Sequence, residues 1–113
     1  MAGSLLYTGF MGNELRKSRV RQPPTQERLA ELFHVDTASG GVTFRVKRGS
    51  RAAGQRAGML NDSGYRIIYV DGHGYRAHQL VWLSATGEWP ETDLDHKNGA
   101  RDDNRIDNLR LAT

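Results

Sequence analysis

The residues best suited to chemistry lie together near the end of the chain. Leu94-Asp95-His96-Lys97-Asn98-Gly99 joins a carboxylate and an imidazole to a turn-forming pair, and Asp103-Asn104-Arg105-Ile106-Asp107-Asn108-Leu109-Arg110 follows closely. A hard divalent cation such as magnesium takes carboxylate and water oxygens and needs few protein ligands. A neutral imidazole is suited to removing a proton from water near neutral pH. Neighbouring residues on a strand point to opposite faces, so Asp95 and His96 serve one point only if the strand ends there and the chain turns. Asn98-Gly99 supplies the turn, because both residues tolerate positive φ. The expectation is a strand ending in Asp95-His96 over a tight polar loop, with Asp95 as metal ligand and His96 as general base. Taken one at a time, these residues also have ordinary explanations: Asp95 as a turn cap, Asn104 and Asn108 as turn residues.

The elements that must position this loop are short. Residues 1–24 mix Gly, Ser, basic residues and Pro23-Pro24 without a sustained period, and read as a flexible basic arm. Thr25 is placed to cap a helix over 26–33, where Leu29, Leu32 and Phe33 share a face. His34 after it reads as structural or solvent-facing. Val42-Thr43-Phe44-Arg45-Val46-Lys47 alternates like a half-buried strand, with Val42, Phe44 and Val46 inward and Arg45 and Lys47 outward. Residues 65–70 form a second strand rich in β-formers. Asp71-Gly72 is a hairpin turn, and Tyr75-Arg76-Ala77 is the returning strand. Leu80, Val81, Leu83 and Ala85 then predict a helix over 78–86, ended by Gly87 in the left-handed conformation. His78, near its start, reads as a packed or hydrogen-bonded residue, not a ligand. Trp89-Pro90 steers the chain toward the Asp95-His96 strand.

The 113 residues suit one small domain. The absence of cysteine excludes disulfides and thiolate metal sites and fits a reducing cytoplasm. No apolar run approaches the ~18 residues that span a bilayer, and the first residues do not form a signal peptide. The net charge is +3, but its distribution says more. Arg45 to Arg56 holds five basic residues and no acidic one, while Asp93 to Asp107 holds five Asp against three basic residues. Basic surfaces beside one acidic pocket suit a polyanion whose phosphate meets a metal. Arg45, Lys47, Arg48, Arg51, Arg56 and Arg66 are the expected DNA-binding set.

The reactive stretch resembles the HNH endonucleases, in the Asp-His variant found in phage and homing nucleases. The resemblance rests on Leu94-Asp95-His96-x-Asn98-Gly99, on Asp103-Asn104-Arg105-x-x-Asn108-Leu109-Arg110, and on the preceding Tyr75-Arg76-Ala77-His78-Gln79-Leu80-Val81-Trp82 and Gly87-Glu88-Trp89-Pro90. It spans roughly residues 28–113. It implies a ββα-metal site: Asp95 binding one divalent cation (Mg2+, or another such as Mn2+), His96 activating water, and Asn108 bonding across the loop to hold His96. Asn98, Gly99 and Asn104 are structural within the motif. Members of the family continue past the position of Thr113 into a helix carrying a second metal ligand. The motif of this chain is therefore expected to be incomplete: the chain is a fragment, a natural truncation, or one that borrows the helix from a partner protein or second chain, while Asp102, Asp103 or Asp107 standing in has no support in the family pattern.

The fold class expected is α+β: a small antiparallel sheet with short helices and an incomplete C-terminal ββα-metal (HNH) motif. An arm over 1–24 precedes one domain over 25–113, with a DNA-contact part at 25–90 and the partial motif at 91–113. The function expected is a metal-dependent endonuclease or nickase acting on double-stranded DNA, cytoplasmic in a bacterial host and phage-encoded. The alternative is a catalytically impaired DNA-binding or partner-binding module of the same descent.

Overall fold

The computed structural model describes residues 22–112. The basic run Arg16 to Arg21 and most of the expected arm lie outside the described residues. Thr25 caps the first helix, α1 (Gln26–Leu32): its hydroxyl accepts from the Arg28 amide at 3.0 Å. Leu29 and Leu32 are the buried face of α1. The chain then leaves the helix directly into β1 (Phe33–Asp36), which pairs antiparallel with β2 (Gly41–Phe44) in the register Phe33↔Phe44. A second sheet has the order β3 (Met59–Leu60), β4 (Arg66–Val70), β5 (His73–Arg76), all antiparallel. Asp71 and Gly72 both adopt positive φ, at 51° and 84°, as a two-residue hairpin of right-handed twist requires. Next comes α2 (Ala77–Thr86), closed by Gly87 at φ 80°. The last pair is β6 (Leu94–His96) with β7 (Leu109–Leu111), preceded by a 3-10 turn over Ile106–Asn108.

The core draws on both helices and on β1, β2, β4 and β7, while β3 stays exposed. Leu29, Leu32 and Phe33 meet Ile68 and Val70 from β4 and Ala77, Leu80, Val81 and Leu83 from α2, while Leu109 attaches β7 to the same cluster. Trp82 and Trp89 pack against its edge. Arg28 ties α1 to the β4–β5 hairpin through Asp71, with Nε and Nη2 donating at 3.0 and 2.8 Å.

The α+β class is as expected, but the single sheet is three small ones. β1 was not foreseen, because His34 and Asp36 dilute its apolar pattern. The strand expected over 42–47 stops at Phe44. β1 starts only where α1 ends, at Phe33, so there is no strand to pair beyond Phe44. Val46 is consequently 42% exposed and does not face the core. Tyr65 stands just before β4, freeing its ring for the site described next. Among the described residues, no helix is long and apolar enough to cross a membrane.

Candidate active site

The strand β6 decides the geometry. Leu94 is buried, so by alternation His96 turns to the same inner side and Asp95 to the outer. Across the pair, Asp95 stands opposite Arg110 and His96 opposite Leu109. The strand ends at His96. The Gly99 amide donates to the His96 carbonyl at 2.9 Å, and Gly99 takes φ 77°.

Two asparagines organise the loop. Asn108 is buried and works across it: its Oδ1 accepts from the Asn98 amide at 3.1 Å, and its Nδ2 donates to Asn98 Oδ1 at 3.0 Å and to the Asp103 carbonyl at 2.8 Å. Its own carbonyl accepts from the Lys97 amide at 2.8 Å. An amide that donates and accepts at once is needed there. The direct bond to the imidazole comes from Asn104, 2% exposed, whose Oδ1 lies 2.9 Å from His96 Nε2. A carbonyl oxygen only accepts, so Nε2 carries the proton and Nδ1 keeps its lone pair. The backbone at Asn104 is itself clamped. A Cβ on Gly40 (φ 79°) would come within 2.4 Å of Asn104 C, and the Ile106 amide donates to the Thr37 carbonyl at 2.9 Å. The β1–β2 turn thus buttresses the residue that fixes His96.

Two rings flank the imidazole. His78, at the start of α2 and 6% exposed, meets His96 edge-on with centroids 4.8 Å apart. The Tyr65 ring lies 5.7 Å from His78 and 6.2 Å from His96. Burial, then His96, then Arg76 push the His78 imidazole down to about 4, so it is neutral at physiological pH. Beside these rings opens a groove of about 260 Å³, lined by Tyr65, Arg76, His78, Leu94 and Asp95 among others. Asp95 is half-exposed there, with only a long 3.8 Å pairing to Arg110.

Two of the three acidic residues weighed as stand-in ligands, Asp102 and Asp103, are engaged elsewhere. Asp102 accepts from Arg66 Nε and Nη2, both at 3.0 Å, and sits 4.0 Å from Arg56. Asp103 accepts from Arg105 at 2.8 and 2.9 Å and from Asn98 Nδ2 at 2.7 Å; Arg105 first and Asn98 with it hold this carboxyl well below the usual carboxylate range. Among the described residues no group of three or more His, Cys, Asp or Glu side chains is placed to hold a metal.

The structure therefore brings Asp95, His96, Asn98, Gly99, Asn104 and Asn108 together. Arg45, Lys47, Arg48 and Arg56 are exposed and Arg51 is half-buried. Arg48 and Arg51 line a groove along β4 together with Met59, Leu60, Asp71 and Gly72. Arg66 must be taken out of the expected phosphate-facing set. Its side chain is 15% exposed and its donors go to Asp102 and, through Nη1 at 3.0 Å, to the Gly58 carbonyl. The desolvated guanidinium is already satisfied by protein oxygens. Sequence reasoning missed Tyr65 and Arg101; His78 is packed, as read, and its packing partner is His96. The available signal was the run of Arg76 and His78 at the strand-to-helix junction.

With this geometry in place, the comparisons are specific. Residues 75–113 match the family model described as HNH endonuclease. The fold is similar to the solved structure titled "DNA binding and cleavage by the HNH homing endonuclease I-HmuI", with a TM-score of 0.52 and 27% sequence identity, over 73% of this chain and 47% of that one. The chain spans about half the length of that protein. No curated protein matches. The stretch over residues 75–113 is thus similar to the HNH endonucleases and carries the motif that their family model describes.

Proposed function

We propose that this protein is a metal-dependent DNA endonuclease or nickase of phage or mobile-element type, hydrolysing phosphodiester bonds in duplex DNA. The observation that carries the reading is the His96–Asn104 bond beside an open, half-exposed Asp95. His96 is held with Nδ1 free to take a proton from a water molecule. The rings of Tyr65 and His78 keep bulk water from one side of that imidazole. Magnesium is commonly held by one or two carboxylates with water and substrate phosphates, and Asp95, accessible and weakly engaged, fits that donor set. When bound, a divalent cation stabilises charge developing on the phosphoryl and leaving oxygens. Arg45, Lys47, Arg48, Arg51 and Arg56 supply sequence-independent affinity for the DNA backbone.

The test is nicking of supercoiled plasmid with and without Mg2+ or Mn2+. The parent should nick only with the cation. His96→Ala should lose ~10²–10⁴-fold in rate, the usual contribution of a general base, while keeping DNA binding. A His96→Ala variant that nicks at the parent's rate would sink the assignment. The lack of a three-ligand acidic or imidazole cluster among the described residues favours one alternative, a DNA-binding module without cleavage. Salt-dependent binding with no nicking under either cation would support it.

A further inference from the structure

The described arginines differ in their pairing, and Arg45, Arg48, Arg51, Arg76 and Arg101 stand within ion-pair distance of no described carboxylate. Arg28, Arg56, Arg66, Arg105 and Arg110 each stand within ion-pair distance of one. Of the first group, Arg76 and Arg101 converge. The Arg76 guanidinium lies 5.0 Å from the centre of the Tyr65 ring and that of Arg101 lies 5.1 Å from it. Arg101 is steadied by one further bond, Nη1 donating to the Ser63 carbonyl at 2.7 Å. Two like charges gathered on one ring repel, and cation–π attraction at an exposed site offsets only ~0.5–1 kcal/mol each. Such a pair is stabilised once an anion binds beside it.

Its position says which anion. Tyr65 and Arg76 line the groove that also exposes Asp95, and the same Tyr65 ring lies 6.2 Å from His96. We infer that Arg76 and Arg101, gathered on Tyr65, form a clamp for the DNA phosphates flanking the one that is cut. Along one strand the charges recur every ~3.4 Å of helix axis, so the neighbours of a phosphate at His96 fall within reach of both guanidiniums. Planar guanidiniums suit bidentate contact with phosphate oxygens. The clamp differs from the Arg48–Arg51 surface, which lines a separate groove along β4 that includes neither Tyr65 nor Arg76. One surface holds DNA, and the clamp sets the register of the strand over the reacting groups.

The inference rests on the nuclease reading, and the experiment separates the two. Binding of a duplex is measured against salt for the parent, for Arg76→Ala/Arg101→Ala and for Arg48→Ala/Arg51→Ala, with thermal melts to confirm folding. Removing one phosphate-binding charge lowers the slope of log affinity against log salt by ~0.9, so each double variant should lose up to about two. The cut position is then mapped, and a duplex is made with neutral methylphosphonates flanking it. On that duplex the Arg76→Ala/Arg101→Ala defect should vanish relative to the parent, while the Arg48→Ala/Arg51→Ala defect persists. A clamp variant that melts like the parent but keeps its full salt slope overturns the proposal. So does a clamp defect of equal size on the charged and neutral duplexes. If the parent never nicks, the nuclease reading fails. A reduced slope for the clamp variant would then still support a phosphate clamp.

Discussion

Replacing Asn104 with alanine tests the core of the reasoning. Asn104 is 2% exposed and makes its side-chain bond to His96 Nε2 at 2.9 Å. Truncation removes that acceptor and leaves the proton-bearing nitrogen without a partner in a half-buried site. A buried donor so orphaned costs ~1–3 kcal/mol of stability. The same bond fixes which nitrogen holds the proton and how the ring is turned. A bond of ~1–1.5 kcal/mol corresponds to about a tenfold change in rate when its orienting effect is removed. Asn104→Ala should therefore lower plasmid nicking by about tenfold, well short of the loss expected for His96→Ala. Asn104→Asp should keep the acceptor and add a negative charge that favours the protonated ring. Its pH–rate profile should retain activity at high pH, with the acid limb displaced toward higher pH. The reasoning is refuted if Asn104→Ala nicks at the parent's rate, or if Asn104→Asp leaves the acid limb where it was.

Other outcomes follow from the same structure. Gly40→Ala meets backbone at 2.4 Å in addition to an unfavourable φ of 79°, whereas Gly49→Ala (φ 57°) meets nothing within 4 Å. The second should cost the ~1–2 kcal/mol of left-handed backbone alone and the first clearly more, by chemical denaturation; equal costs would remove the buttress. His78 is held neutral down to about pH 4 in the fold but protonates near 6.5 once unfolded. The unfolded chain thus binds the extra proton, and stability should fall by up to about 3 kcal/mol as pH drops from 6.5 to 4. His78→Phe should flatten that window in melting experiments, and an unchanged pH dependence would show that His78 does not cause it. Changing Arg48 and Arg51 to alanine should weaken binding on any sequence and flatten the salt slope by ~0.9 for each phosphate no longer neutralised; an unchanged slope would return them to plain solvated surface.

Local chemistry was legible in the sequence wherever it was self-contained. Thr25 as a cap, Asp71-Gly72 as a hairpin, Gly87 as a helix end and the Asp95-His96 strand end all depend on residues within a few positions of each other. What escaped was set by distant partners. Val46 carries a strand pattern but has no partner strand, because α1 occupies the chain before Phe33. Arg66 looks like its exposed neighbours in composition, and only the fold brings Asp102 to it. Asn108 bonds across the loop as expected, whereas the acceptor on His96 is Asn104, expected only to be structural within the motif. Asn104 reaches the ring because the β1–β2 turn presses its backbone into position. The Tyr65 cluster gathers side chains from three separate segments, which no local spacing encodes.

The Gly40–Asn104 junction bears on the order in which the molecule is built. Its two sides are separated by more than half of the chain. Contacts of such long range form late in folding, after loop closure has already taken its entropic toll. The basic stretch from Arg45 to Arg56 needs only its own residues to attract a polyanion. The imidazole needs the N-terminal hairpin to have docked before its proton has a fixed seat. On the proposed nuclease reading, affinity for nucleic acid therefore does not depend on this junction, whereas the seating of His96 does.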